Sequence, residues 1–209
     1  MTTKTKSNLR LEFQKYFAEF LGVFVLTTSV AFTSITVAPA VSTPVAAALA
    51  VLLFVYTVGH ISGAHLNPAV TFGLWINKNI STKEAVIYVL AQITAAIMAT
   101  TIYAAIMSDT SPNGWEVTMA GLVSEIVGTF VLVFGVANVA NGKVPQALSG
   151  VVVGGSLLLG LTLASMYGAG VLNPAISLAF GSISVPYLFG PFIGGALGGL
   201  AYKALNFTK

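Results

Sequence analysis

"GHISGAHLNPAVTFGLW" occupies residues 59–75. An apolar run ends where it begins, and the chain then turns through Gly63, Asn67 and Pro68. Only about ten apolar residues follow before Lys78, half of the roughly 20 that a bilayer-crossing helix needs. A half-length helix with a polar entrance therefore sits inside a strongly apolar chain. Pro68 at its first position loses nothing, because that N–H has no intrahelical partner. Asn67 stands where an N-cap stands.

The stretch has a counterpart. Slid by 106 positions (173 minus 67), Asn67-Pro68-Ala69 falls on Asn173-Pro174-Ala175. At the same offset "AEFLGVFVLTTSVA" (18–31) falls on "SEIVGTFVLVFGVA" (124–137), with Glu19 on Glu125 and Gly22 on Gly128. The Glu-to-Asn spacing is 48 in both copies (67 minus 19, 173 minus 125), so no net insertion separates them. Apolar runs predict six spanning helices near 13–36, 44–62, 84–107, 117–139, 147–167 and 186–205, with short pieces at 67–76 and 173–181 left over. Each copy, about 13–107 and 117–205, then holds three spans and one half-helix. Three is odd, so the second copy enters the membrane from the opposite side, which is an inverted-topology repeat. The expected fold is an all-α membrane protein of six transmembrane helices plus two re-entrant half-helices, a single channel domain over residues 1–209. Two half-helices of about ten residues, each about 15 Å long at 1.5 Å per residue, meet end to end and cross a core about 30 Å thick. Non-helical backbone at that depth must be enclosed by protein or line a cavity.

Composition agrees. Of 209 residues 56% are hydrophobic and 7% charged, against about 25% charged in soluble domains. The net charge of +3 has no clustered basic face behind it, so nucleic acid is not an expected partner. With no cysteine and two histidines, neither a disulfide framework nor a metal cage is expected. "MTTKTKSNLR" lacks a cleavable-signal pattern. Lys4, Lys6, Arg10 and Lys15 precede the first span, and Lys78, Lys83, Lys143, Lys203 and Lys209 follow even-numbered crossings. All nine basic residues thus fall on one side, while the opposite loops hold Asp109 and Glu116. The positive-inside rule places both termini in the cytoplasm. The triplets Asn79-Ile80-Ser81 and Asn206-Phe207-Thr208 then face inward and stay unglycosylated.

Two helix N-termini facing one point create a positive potential of roughly half a charge each, which repels cations. The amides of Asn67 and Asn173 donate to the oxygen of a passing water or hydroxyl solute. A water held by both cannot accept from its neighbour, so the proton wire breaks there, as in aquaporin-type selectivity.

"SGAHLNPAV", "VLNPAIS", the paired "AEFLG" and "SEIVGTF", and "GPFIGGALGG" (190–199) resemble the aquaporin/aquaglyceroporin, or major intrinsic protein, family over nearly the whole chain. The resemblance implies passive conduction of water or small neutral solutes through a homotetramer with one pore per subunit in a cell membrane, without cofactor. It also implies an outer constriction whose arginine follows the second Asn-Pro-Ala. Here Ile176 stands there, and the family's spacing places the other members at Ala47, Leu161 and Gly170. The set is small and apolar. Ser177 and Tyr187 resemble the water-selective branch and Leu188 the glycerol branch, so neither is assigned.

Glu19 and Glu125 lie in apolar spans, where charge is expensive. They read as a proton relay or, favoured by their equivalence in the two copies, as acceptors that support the irregular backbone before each half-helix. His65 reads as a histidine tying down the loop before Asn67, or as a pH gate, rather than as a ligand with His60. The small-xxx-small spacing of Gly190, Gly194, Gly195, Gly198 and Gly199 suits close helix packing within the subunit. Trp75 and Trp115 read as interface anchors. Against a passive channel stand an ion-leaky or gas pore of the same fold, a secondary transporter, which shares inverted repeats, and a structural junction protein. No nucleophile–base set suggests an enzyme.

Overall fold

The computed structural model describes residues 3–35, 40–107 and 115–206. Eight helices run in chain order: α1 (Thr3–Ile35), α2 (Thr43–Ser62), α3 (Pro68–Ile76), α4 (Thr82–Met107), α5 (Met119–Ala140), α6 (Ser149–Ala164), α7 (Pro174–Ala179) and α8 (Gly190–Leu205). A 3₁₀ turn, Gln146–Leu148, leads into α6, and a π-helical turn, Val185–Phe189, leads into α8. With those turns, six helices are long and apolar enough to cross a membrane. Large apolar side chains such as Leu53, Leu90, Val123, Leu159 and Leu197 face outward from them. That surface suits lipid, where no water competes for the backbone and helices satisfy it internally.

Three boundaries differ from expectation. Helix α1 begins at Thr3 rather than near residue 13, because no Gly or Pro interrupts the chain before Gly22. Helix α6 stops at Ala164, where Ser165 and Gly168 bond back onto it. Helix α7 is six residues long, not about ten. Gly181, at φ +73°, closes it with the bonds Gly181 N–H to Leu178 O and Ser182 N–H to Ser177 O. Such a left-handed closing residue is a common helix stop. Lys78, at φ +62°, closes α3 in the same pattern, through Trp75 O and Leu74 O. Together α3 and α7, nine and six residues, measure about 14 and 9 Å at 1.5 Å per residue.

The packing exchanges parts between the two copies. Helix α3 lies against α8 and α7 lies against α4, while α1 packs on α2 and α4, and α5 on α6 and α8. Small residues allow the closest approaches. A methyl group on Gly195 would stand 2.6 Å from the Ala69 carbonyl oxygen, and one on Gly198 2.7 Å from that of Phe130. The glycine-rich face of α8 is thus consumed within the subunit.

Three contacts tie one end of the bundle together. Lys15 Nζ reaches Glu84 Oε1 at 2.7 Å, joining the first half of α1 to the start of α4. Asn79 Nδ2 donates to Asn141 Oδ1 at 2.9 Å, joining the turns after α3 and α5. Lys203 Nζ donates to Ile76 O at 2.6 Å, capping the end of α3 from α8. Arg10, Lys15, Lys78, Lys83, Lys143 and Lys203 therefore share this termini end, and no Lys or Arg lies at the other among the described residues. Asp109 and the side chains of Lys4, Lys6, Phe207, Thr208 and Lys209 lie outside the described residues.

Candidate functional site

The two loops that precede α3 and α7 are built alike. Ala64 and Leu66 have φ of +48° and +52°, and their partners at the repeat offset, Gly170 and Leu172, have +64° and +54°. Left-handed non-glycine residues cost of order 1–3 kcal/mol each and persist only where surroundings hold them. A buried carboxylate supplies the hold in each copy. Glu19 accepts from His65 N–H at 2.9 Å and Leu66 N–H at 2.7 Å. Glu125 accepts from Val171 N–H and Leu172 N–H, both at 2.7 Å. Charge-assisted bonds of this kind are roughly twice as strong as neutral ones. Gly22 and Gly128 leave the room that the Leu66 and Leu172 side chains fill.

The copies differ in what else surrounds the carboxylate. Glu19 also accepts from Ser62 Oγ and Gln92 Nε2, each at 2.8 Å. Gln92 Nε2 donates to Thr71 Oγ1 as well, at 3.1 Å, and that hydroxyl lies 3.2 Å from His65 Nδ1. The His65 ring stands edge-on to Tyr88, with centroids 5.1 Å apart, and Tyr88 Oη donates to Ser62 O. His65 is thus held on two sides while part of it faces the cavity described next. Gln92 was legible only as a lone amide in an apolar span, and its partner could not be read from that.

Asn67 and Asn173 each use both ends of the amide. Asn67 Oδ1 accepts from Ala69 N–H at 2.8 Å, and Asn173 Oδ1 from Ala175 N–H at 3.1 Å, so both are N-caps. Asn67 Nδ2 donates across to Leu172 O at 2.8 Å, and Asn173 Nδ2 to Leu66 O at 3.0 Å. Each exchange spends one amide hydrogen and leaves the second. Pro68, Ala69, Pro174 and Ala175 begin the two short helices and are buried.

A cavity of about 330 Å³ runs past this junction. Asn67 and Asn173 are on its wall, with Val70, Val136 and Val153 toward the termini end. Toward the other end Ala47, Leu161, Gly170 and Ile176 all line it. No Lys, Arg, Asp or Glu side chain is on the wall among the described residues. Polar groups there are few: Ser34, Thr43, Ser165, His65, the two asparagines and loop backbone. Glu19 and Glu125 lie behind the wall, fully buried.

Trp75 keeps a boundary position, 40% exposed, with Nε1 donating to Thr82 Oγ1. Trp115 does not. It lies on the cavity wall at the end opposite the termini and packs on Phe180 and Tyr187, with ring centroids 5.9 and 5.2 Å away. Nothing periodic in the sequence marks a loop residue as turned inward.

Six helices of spanning length pack around a cavity whose wall carries the junction of two half-length helices, the architecture of a multi-pass membrane protein. The major intrinsic protein profile matches residues 4–202. Aquaporin NIP1-1 of Zea mays is 35% identical over 77% of this chain and 61% of its own length. Aquaporin-1 of Sus scrofa is 39% identical over 74% and 63%. The chain thus spans about three-fifths of the length of these relatives. A solved aquaglyceroporin from Plasmodium falciparum superposes with a TM-score of 0.70 over 93% of this chain and 95% of that one, at 22% identity, a likeness of fold. The chain belongs to the major intrinsic protein family.

Proposed function

We propose that residues 1–209 form one passive channel unit for small uncharged solutes, water among them, with an apolar outer mouth at Ala47, Leu161, Gly170 and Ile176. The observation that carries this reading is the cavity wall: two asparagine amides at its middle and no charged side chain among the described lining residues. A neutral solute finds donors from Asn67 and Asn173 at the one depth where bilayer hydrocarbon would offer none. An ion finds no counter-charge to replace its hydration. The N-terminus of α3 adds positive potential there, and the shorter α7 adds less.

In this reading α3 and α7 are re-entrant, entering from opposite faces, and the termini end, rich in Lys and Arg, is cytoplasmic. The protein sits in a cell membrane, as a homotetramer with one pore per subunit. Glu19, Glu125 and His65 hold the two loops and move no protons. Catalysis has no place in the scheme, and nothing couples flow to an ion gradient.

Stopped-flow light scattering on proteoliposomes tests it, with water, glycerol and urea gradients and a proton-sensitive dye in the same vesicles. Facilitated flux of at least one uncharged solute, ceasing when its concentrations on the two sides are equal, is expected. Accumulation driven by a proton or sodium gradient would make the protein a transporter instead.

A further inference from the structure

Four positions were expected to form the outer mouth, and none of them is aromatic. The wall there nevertheless contains aromatic surface. Trp115 and Phe180 both line the cavity beside Ile176, and the two rings are 5.9 Å apart, tilted by 30°. Trp115 comes from the segment between α4 and α5, and Phe180 from the turn that closes α7.

The indole is held there. Tyr187 Oη donates to Glu116 O at 2.9 Å and accepts from Ala169 N–H at 3.2 Å. One hydroxyl therefore clamps the residue next to Trp115 against the loop that carries Gly170. The buried Tyr187 ring then backs the indole edge-on at 5.2 Å and 68°. Tyr187 can itself serve as a clamp because α8 is entered by a π-helical turn, Val185–Phe189, that carries it. A large flat side chain fixed on two faces cannot swing aside for a passing solute as a free loop residue would.

We infer that Trp115, clamped by Tyr187, sets the upper size limit of solutes at the outer mouth, where Ala47, Leu161, Gly170 and Ile176 carry no ring. The inference rests on the channel reading above. Ala47 contributes only a methyl group to the mouth, and Trp115 lines the same cavity from beside the loop that carries Gly170. Trp115 is then the specificity-determining residue and Tyr187 a positioning residue. The solutes it screens are uncharged polyols and amides, graded by cross-section rather than by hydrogen bonding, since the indole face is apolar.

The test uses proteoliposomes of the full chain and gradients of glycerol, erythritol and xylitol alongside water. Trp115→Ala is expected to raise the flux of the largest polyol that the parent excludes, relative to water, by about tenfold or more, the scale on which an apolar contour discriminates size. Trp115→Phe should shift it less, and Tyr187→Phe should shift it in the same direction as Trp115→Ala while leaving the indole in place. A purely structural role would lower the unfolding temperature and leave the size series unchanged. A conducting parent whose Trp115→Ala variant keeps the same series overturns this inference alone. A parent that conducts nothing overturns the channel reading with it. If Trp115→Ala does not fold, Trp75→Phe leaves Trp115 as the sole indole, and its emission should be quenched by the neutral quencher acrylamide. An indole shielded from acrylamide is not at the mouth, and the inference falls.

Discussion

Asn67 donates its side-chain N–H to the carbonyl of Leu172 at 2.8 Å, across the boundary between the two repeats. Asn173 returns the bond to Leu66 at 3.0 Å. The acceptors are the left-handed residues that Glu19 and Glu125 pin through their own N–H groups. The two crossed bonds and the Leu66–Asn67 and Leu172–Asn173 peptide links therefore close a buried ring, which Glu19 and Glu125 each anchor from outside through one leucine N–H. Each loop is held partly by the other, so neither half is expected to dock its short helix alone.

Asn67→Asp isolates the donor from the cap. The carboxylate still accepts from Ala69 N–H but has no hydrogen for Leu172 O, which is left buried and unpaired. A cost of about 1–3 kcal/mol is expected, or a fall of about 2–4 °C in unfolding temperature per kcal/mol for a chain of this size. Asn173→Asp should cost a similar amount through Leu66 O. Either variant should also leak protons faster, since an acceptor replaces a donor on the cavity wall. Parental stability and proton tightness in both variants would show that the crossed bonds are incidental.

The two carboxylates should not be equally sensitive. Glu125→Gln keeps one acceptor oxygen for one of two backbone N–H groups, while Glu19→Gln turns its amide nitrogen either toward Ser62 Oγ and His65 N–H or toward Gln92 Nε2 and Leu66 N–H, so that two donors lose their acceptor at once. With charge-assisted bonds worth about 1.5–3 kcal/mol each, Glu19→Gln is expected to destabilise more. Thermal unfolding in detergent, with both variants at equal lipid content, gives the order. The reverse order would mean that Ser62 and Gln92 contribute nothing to holding the loop.

Glycines separate by what lies opposite. Gly195→Ala places its methyl 2.6 Å from Ala69 O, at the very start of α3, and backbone cannot give way there. Loss of folded protein or of flux is expected. Gly155 has nothing within 4 Å of the same added atom, and Gly155→Ala in mid-helix should be neutral or stabilise by up to about 1 kcal/mol. Size-exclusion profiles of the two variants separate close packing from a general intolerance of α6 and α8.

The repeat made most of this readable. Offset, N-caps and the paired acids are local in sequence, so the asparagine junction and the loop-holding role of Glu19 could be reasoned out from residues alone. Three features were not. The six-residue length of α7 depends on Gly181 adopting φ +73°, and the apolar pattern runs straight through that turn. Gln92 meets Glu19 only because α4 packs on α1. Trp115 sits in a loop, where no period tells inside from outside, and its neighbour Glu116 is held through its carbonyl by the Tyr187 hydroxyl, 71 residues further along the chain.

Orientation is open to chemical labelling because the chain has no cysteine. Lys78→Cys and Lys143→Cys create single thiols at the end where α1 begins and α8 finishes. An impermeant maleimide should reach them in inside-out vesicles and not in intact cells. A thiol at Glu116 should label from the opposite side. Labelling of Lys143→Cys in intact cells would invert the proposed topology. The parent should resist thiol-directed mercurials.

Ile176 stands on the cavity wall, 4% exposed, where the family resemblance implies arginine. A fixed positive charge about 5 Å from a passing cation costs it roughly 3 kcal/mol at an effective dielectric near 20, about two powers of ten in partition. Without that charge, cation exclusion rests on the short helices' N-termini and on dehydration against an apolar wall. Ile176→Arg should therefore cut sodium and proton leak by up to about 100-fold, and should lower polyol flux because the guanidinium fills space between Ala47 and Gly170. The added charge needs partners, and Ser165, Ala169 and Gly170 line the same wall. Water, small enough to pass beside it, should be least affected. The measurement is a dye-reported proton leak and a polyol shrinkage rate on the same vesicles. Unchanged ion and polyol rates in a folded variant would place the narrowest point at Asn67 and Asn173 rather than at Ile176.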